Sequence, residues 1–223
     1  MSDAGAVLIF TSALILFTWL RIQRKTTDQK QLAKAIMIAI AWPMLLIGLG
    51  NSGALADFSQ SPPPFMPFMI SLIFVSIYLT FSKYGTQIIK EVSLANLVLF
   101  QSFRILAELA IVLGVHEGIV PSQLSMEGYN FDIITGISAL VLGLYLRKRE
   151  NRKLVYCFNI VGLLLLAVVM FIAMTSMPTS IRLFMTEPSN VWVTHSPFIL
   201  LPGILVVAAL STHLLIFRKL SCD

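Results

Sequence analysis

Arg104 lies in the middle of a long apolar run, residues 92–115, with Gln101 three residues before it and Glu108 four after. An α-helix advances ~100° per residue, so these three side chains share one face. A charge near the centre of a bilayer costs at least ~2.5–3.5 kcal/mol. It is tolerated when it is paired or when it lines a cavity. Arg104 and Glu108, at i and i+4, can form an intrahelical ion pair. The bland reading is a polar plug that bonds neighbouring helices and loop carbonyls. The functional reading is a solute, ion or proton site inside the bundle, with Arg104, Glu108 and Gln101 binding the substrate. If Glu108 neutralises Arg104, a net-neutral ligand or a proton is favoured. If Glu108 points elsewhere, an anion is favoured, because guanidinium is a fork donor suited to carboxylate or phosphate.

Two further groups carry chemistry. Glu127, Asn130 and Asp132 precede the apolar run 131–146. Asn130 as N-cap and Asp132 in the first turn would both suit the positive end of a helix. Alternatively, these residues form an acidic rim at the outer mouth of a cavity above Arg104. Asn159 and His213 fall at the same depth in two other apolar runs. They form a candidate inner polar pair, read either as a proton relay or as an interfacial hydrogen bond. Pro43 and Pro202 lie inside apolar runs and should kink their helices.

The elements that position these residues are plain. The chain has 223 residues, of which 57% are hydrophobic and 12% charged. A soluble domain carries roughly a quarter charged residues, so a membrane protein is the expected class. Seven apolar runs are long enough to count as spans, at 4–20, 35–55, 67–81, 92–115, 131–146, 154–174 and 197–217. The third and fifth are short. The fourth is the least apolar and is a candidate for a helix screened by the other six. The expected fold is all-α: one polytopic transmembrane helix bundle, residues 1–223 forming a single domain. All but two of the 16 Lys and Arg fall in segments that then share one side, the exceptions being Arg104 and Arg182. The positive-inside rule makes that side cytoplasmic, with the N-terminus out and the C-terminus in. The net charge of +5 is therefore topology information, and no nucleic-acid partner is expected. The first run has Asp3 and no Lys or Arg before it, so it reads as a span rather than a cleaved leader. Cys157 and Cys222 fall on the cytoplasmic half, where a disulfide is not expected.

No HExxH, GxSxG or P-loop occurs, no Cys/His cluster has metal spacing, and the last run has no central Lys for a retinal. No metal and no cofactor are expected, and the chain leans away from being an enzyme. The segments Gln101-Ser102-Phe103-Arg104 with Glu108, Glu127-Gly128-Tyr129-Asn130-Phe131-Asp132, Ser196-Pro197-Phe198 and His213-Leu214 resemble a group of uncharacterised small bacterial integral membrane proteins. The resemblance covers the last four spans, about half the chain. It implies multi-pass residence in the bacterial cytoplasmic (inner) membrane and no particular activity. The expected role is binding or transport of a small solute or proton at the site on the fourth span. Two alternatives are an intramembrane enzyme acting on a lipid or quinone, and a non-catalytic assembly factor or sensor that binds another membrane protein. The expected partners are the bilayer, the solute or proton, and a membrane protein or a second copy of the chain.

Overall fold

The computed structural model describes residues 2–26 and 28–222. Among them 74% are helical and none is in a strand. The chain opens with two long helices, α1 (Asp3–Thr26) and α2 (Gln29–Ser52). Asp28 caps α2 by accepting the Gln31 N–H at 2.7 Å, and Gly53 ends it in the left-handed conformation at φ 69°. That ending needs no Cβ. α2 stays helical through Pro43 and through Gly50 and Asn51. At the opposite end of α1, the Glu117 carboxylate accepts the N–H of Asp3 at 2.7 Å and of Ala4 at 3.4 Å. These are orphan donors at the positive end of a helix, where a carboxylate belongs.

α3 (Phe65–Phe81) and α4 (Lys83–Glu91) meet at a 55° bend. Ser82 makes the bend in extended backbone, closing α3 and capping α4 through its hydroxyl on the Gly85 N–H. The end of the chain stitches this corner. Arg218 donates to the Thr80 carbonyl at 2.7 Å and to Thr86 Oγ1 at 3.1 Å, and it lies over the Phe81 ring. Lys219 donates to the Ile89 carbonyl. Both cations thus meet the negative ends of helices.

The run expected as the fourth helix is one helical stretch, Leu94–His116, that tightens in its middle. Ser93 caps α5 (Leu94–Phe100), a 3₁₀ turn spans Gln101–Phe103, and α6 (Arg104–His116) follows. After a loop come α7 (Ile133–Leu146) and α8 (Arg152–Thr175), the latter capped by Asn151. A second long loop leads to a π-helical turn, Leu201–Val206, which runs on into α9 (Val207–Cys222). At Pro202, where a kink is expected, the backbone takes this π form. It leaves the Gly203 carbonyl to accept the Trp42 indole N–H from α2 at 2.9 Å.

Five helical stretches are long and apolar enough to cross a membrane: Asp3–Lys25, Gln29–Ser52, Leu94–His116, Arg152–Thr175 and Leu201–Cys222. The bent pair α3–α4 makes a sixth. α7, at 14 residues, is only ~21 Å long. The most enclosed of the five is the last, with 61% of its apolar window buried against 44% for Leu94–His116. The fourth run is the second most enclosed, in keeping with a helix screened by its neighbours.

α6 packs on α1, α7 on α5, and α9 on α3 and α8. A Cβ on Gly143 would lie 2.8–2.9 Å from Leu99, and one on Gly136 would lie 2.9 Å from the Ile105 backbone nitrogen. Only bare glycine lets α7 lie this close to α5 and α6. One apolar cluster joins Leu8 and Ile15 of α1, Leu46 of α2, Leu72 of α3 and Leu166 of α8 to the π turn. Outside it, Phe10, Phe17, Met37, Met44, Phe74, Phe81, Val141, Leu164 and Phe171 are all exposed. An apolar exterior of this extent suits lipid rather than water.

The two long loops fold back over one end of the bundle. Gln123 donates to Ser176 Oγ at 3.1 Å and accepts from the Thr186 hydroxyl. Asn190 donates to the Ala173 carbonyl at 2.7 Å, and the Tyr129 and Phe184 rings pack at 5.5 Å. Both Cys157 and Cys222 are free thiols.

Candidate functional site

Gln101, Arg104 and Glu108 are all buried, at 0%, 2% and 2% exposure. They do not act as one stripe. Gln101 turns to α9 and donates to the Ala209 carbonyl at 3.0 Å. Arg104 and Glu108 do not pair with each other, which corrects the expected intrahelical ion pair. The cation on Arg104 is met by Asp132 instead: Nε donates to Oδ2 at 2.6 Å and Nη2 donates to Oδ1. This is the bidentate geometry in which a guanidinium binds a carboxylate most strongly.

Asp132 therefore does not serve as a helix cap. It occupies the N-cap position of α7, yet its side chain makes no capping bond there. Asn130 is not the N-cap either. Its Oδ1 accepts the Asp132 N–H at 2.9 Å, and its Nδ2 donates to Glu108 Oε2 and to the Leu124 carbonyl, both at 2.8 Å. The other Glu108 oxygen accepts the Met126 N–H at 2.7 Å. Capping explained these residues from sequence because an Asx side chain near a helix start does that most often. Here the buried charge on α6 takes precedence. Glu127 is exposed and stands outside this network.

On its far side, Arg104 reaches α8 and α9. Nη1 lies 2.9 Å from His213 Nε2 and donates to the Gly162 carbonyl at 3.4 Å. Arginine only donates, so His213 Nε2 must accept and the proton sits on Nδ1. That Nδ1–H donates to Asn159 Oδ1 at 2.8 Å, and Asn159 Nδ2 donates back to the His213 carbonyl at 3.0 Å. The imidazole is accordingly neutral, and its tautomer is fixed from both sides. Asn159 and His213, at equal depth by sequence, do touch. Gly162 makes room for them: a Cβ there would lie 2.6 Å from His213 Cε1 and 2.8 Å from Thr135 Cγ2.

One chain of polar contacts thus runs Glu108, Asn130, Asp132, Arg104, His213, Asn159. It links α6, the loop before α7, α9 and α8. The Arg104–Asp132 pair was not legible because 28 residues separate its partners. The Met126 N–H and the Gly162 carbonyl are backbone groups with no side-chain signature.

A small cavity of about 50 Å³ adjoins this network. Arg104, Glu108, Asn130 and Asp132 line its polar wall, and Leu166, Leu201 and Leu205 its apolar wall. A water molecule needs at least about 10–15 Å³ of such space, so the cavity has room for water. The charges do not cancel inside it. Arg104 and Asp132 neutralise each other and His213 is neutral, which leaves Glu108 as a buried carboxyl group with two N–H donors and, among the described residues, no paired cation.

The chain belongs to the family described as a domain of unknown function, DUF8737, whose profile matches residues 65–221. The match spans α3 to α9 and contains every residue of this network. No curated protein and no solved structure matches the chain.

Proposed function

We propose that the protein binds and moves a proton at Glu108, in a small hydrated pocket on the fourth span of a seven-span membrane bundle. The observation that carries this reading is the isolated carboxylate. An ionised group taken out of water costs several kcal/mol unless it is paired. Glu108 has donors but, among the described residues, no counter-charge, so it is the group in the network that gains most from taking up a proton. Arg104 cannot anchor an anion here, since its donors are already given to Asp132, Gly162 and His213. A cavity of about 50 Å³ supports a proton or water as the species handled.

The seven crossings are α1, α2, α3, α5 with α6, α7, α8, and the π turn with α9. α4 then lies along the inner surface, where Lys83 and Lys90 suit it. The basic connectors stand on the cytoplasmic side, with the N-terminus outside. The capped end of the bundle, near Glu108, faces out. The compartment is the bacterial cytoplasmic membrane.

One observation favours a second reading, a non-catalytic scaffold that binds another membrane protein. The Arg104, Asp132, His213 and Asn159 groups satisfy one another, as in a fixed polar clasp between helices.

Proteoliposomes separate the two. They hold a trapped pH dye, and a potassium gradient with valinomycin imposes a potential. Proton flux above that of empty liposomes is expected, abolished by Glu108→Gln and retained by Glu127→Gln. Flux equal to that of empty vesicles, or undiminished in Glu108→Gln, overturns the proton reading.

A further inference from the structure

The loop after α8 carries a row of exposed apolar side chains. Residues 182–186 there are neither helix nor strand. Ile181, Leu183 and Met185 are 50%, 64% and 71% exposed, whereas Arg182 and Phe184 between them are partly buried. Alternate side chains thus face outward, the two-residue period of extended backbone. The three apolar residues form one outward stripe. Phe184 points the other way and packs on the cluster of Ile111, Val120, Leu124 and Ile172.

The stripe is held in place from both sides. The Thr175 carbonyl, at the end of α8, accepts the N–H of Leu183 at 2.8 Å and of Phe184 at 3.2 Å, and the Thr179 carbonyl accepts the N–H of Arg182 at 3.1 Å. The Arg182 guanidinium curls along its own segment. Nε donates to the Phe184 carbonyl at 2.8 Å, and Nη2 donates to the Thr186 carbonyl at 3.0 Å and to Glu187 Oε1 at 2.9 Å. The Tyr129 and Phe184 rings then tie the segment to the stretch that leads into α7. The stripe therefore bridges the end of α8 and the start of α7.

Two observations say what covers it. α7 has 14 residues, which leaves it about 9 Å short of a ~30 Å hydrocarbon core. The stripe sits at its Ile133 end, where that length is missing. The outward apolar faces of both helices also run up to the stripe: Val141, Ile137 and Ile134 on α7, and Leu164, Val168 and Phe171 on α8, are all exposed. The stripe continues this lipid-facing wall beyond the helix ends. Hydrocarbon offers no partner to backbone groups, and here three N–H groups and two carbonyls of the segment are bonded within the protein. We propose that Ile181, Leu183 and Met185 are a membrane anchor, seated among the lipid chains just beneath the head groups of the leaflet on the side of the folded loops. Exposed Tyr129 beside it is an amphipathic ring of the kind that lies at this boundary. Exposed Glu187 marks the side that stays in water. This seat needs α7 to lie in the membrane and is independent of what Glu108 does.

Nitroxide spin labels on single cysteines test the anchor, in the full chain with Cys157→Ser and Cys222→Ser, reconstituted in phosphatidylcholine vesicles. Power saturation compares collisions with oxygen, which concentrates in lipid, and with a water-soluble nickel chelate. The labelled positions are Leu183→Cys and Met185→Cys, with Val141→Cys on the α7 face and Ser59→Cys in the polar loop after α2 as references. All four sites are exposed, so a label needs no repacking of the core. The ratio of oxygen to nickel collisions at Leu183 and Met185 should lie well above that at Ser59 and below that at Val141. Nickel collisions as frequent as at Ser59 would put the stripe in water and overturn the anchor. Few collisions with either reagent would mean that protein covers the stripe, and would overturn lipid as its occupant. A Val141 label that reports water would take α7 out of the membrane and overturn the anchor with it, whatever the proton flux.

Discussion

Arg104 and Asp132 depend on each other, and so do the groups beyond them. Breaking one partner of a buried pair costs ~3–5 kcal/mol, because the other charge is left uncompensated. Asp132→Asn should therefore lower the unfolding midpoint sharply in detergent, and adding Arg104→Met should restore part of the loss. An unchanged midpoint in Asp132→Asn would mean that the pair does not hold the bundle. Glu108→Gln should be far milder for stability, because the glutamine oxygen still accepts one of the two N–H bonds. The same stability assay checks this: a loss as large as that of Asp132→Asn would make Glu108 a structural anchor. The sequence showed that a charge lay in an apolar run and tied Glu108, Asn130 and Asp132 to it, but it set His213 apart with Asn159 as an inner pair, which Arg104 in fact reaches. It did not show which carboxylate faced Arg104. Helical spacing favours the neighbour at i+4, whereas the loop before α7 delivers a carboxylate that can bind both edges of the fork. That choice is made by tertiary packing, which spacing along one helix does not encode.

At the scale of elements, close approach decides the architecture. Gly162→Ala puts a methyl group against His213 and Thr135, in the gap that joins α8 to α9. Overpacking of this kind costs ~1–3 kcal/mol, and the imidazole must move off Arg104. A lowered melting temperature is expected for Gly162→Ala, whereas Gly48→Ala, with open space around its added Cβ, should be neutral or slightly stabilising. Equal effects would contradict the packing argument. The apolar runs were readable as residues. The 3₁₀ turn at Gln101–Phe103 was not, because that stretch contains no Gly or Pro and reads as regular helix. The 55° corner at Ser82 was also hidden. Its cause lies partly in Arg218 and Lys219, more than 120 residues away, which bond the carbonyls on either side of the corner.

At the scale of the whole molecule, an apolar exterior surrounds a polar network that crosses four elements. One end is covered by folded loops and the other is strongly basic. The proposed topology puts these ends on opposite sides of the membrane. In a chain with Cys157→Ser and Cys222→Ser, a cysteine at Ser59 should react with a membrane-impermeant maleimide in intact cells, and one at Lys148 only after the membrane is opened. Reaction of both in intact cells would contradict the assigned orientation. The membrane class was legible because hydropathy is a one-dimensional signal. A cavity at Arg104 was expected from sequence, but its apolar lining was not legible, since the walls come from four distant segments. The most direct test of the central claim is infrared difference spectroscopy of the reconstituted protein between acid and alkaline pH. A protonated-carboxyl band that appears and vanishes with pH, and is missing in Glu108→Gln, is the expected result. A spectrum that Glu108→Gln leaves unaltered would show that Glu108 exchanges no proton, and would contradict the account.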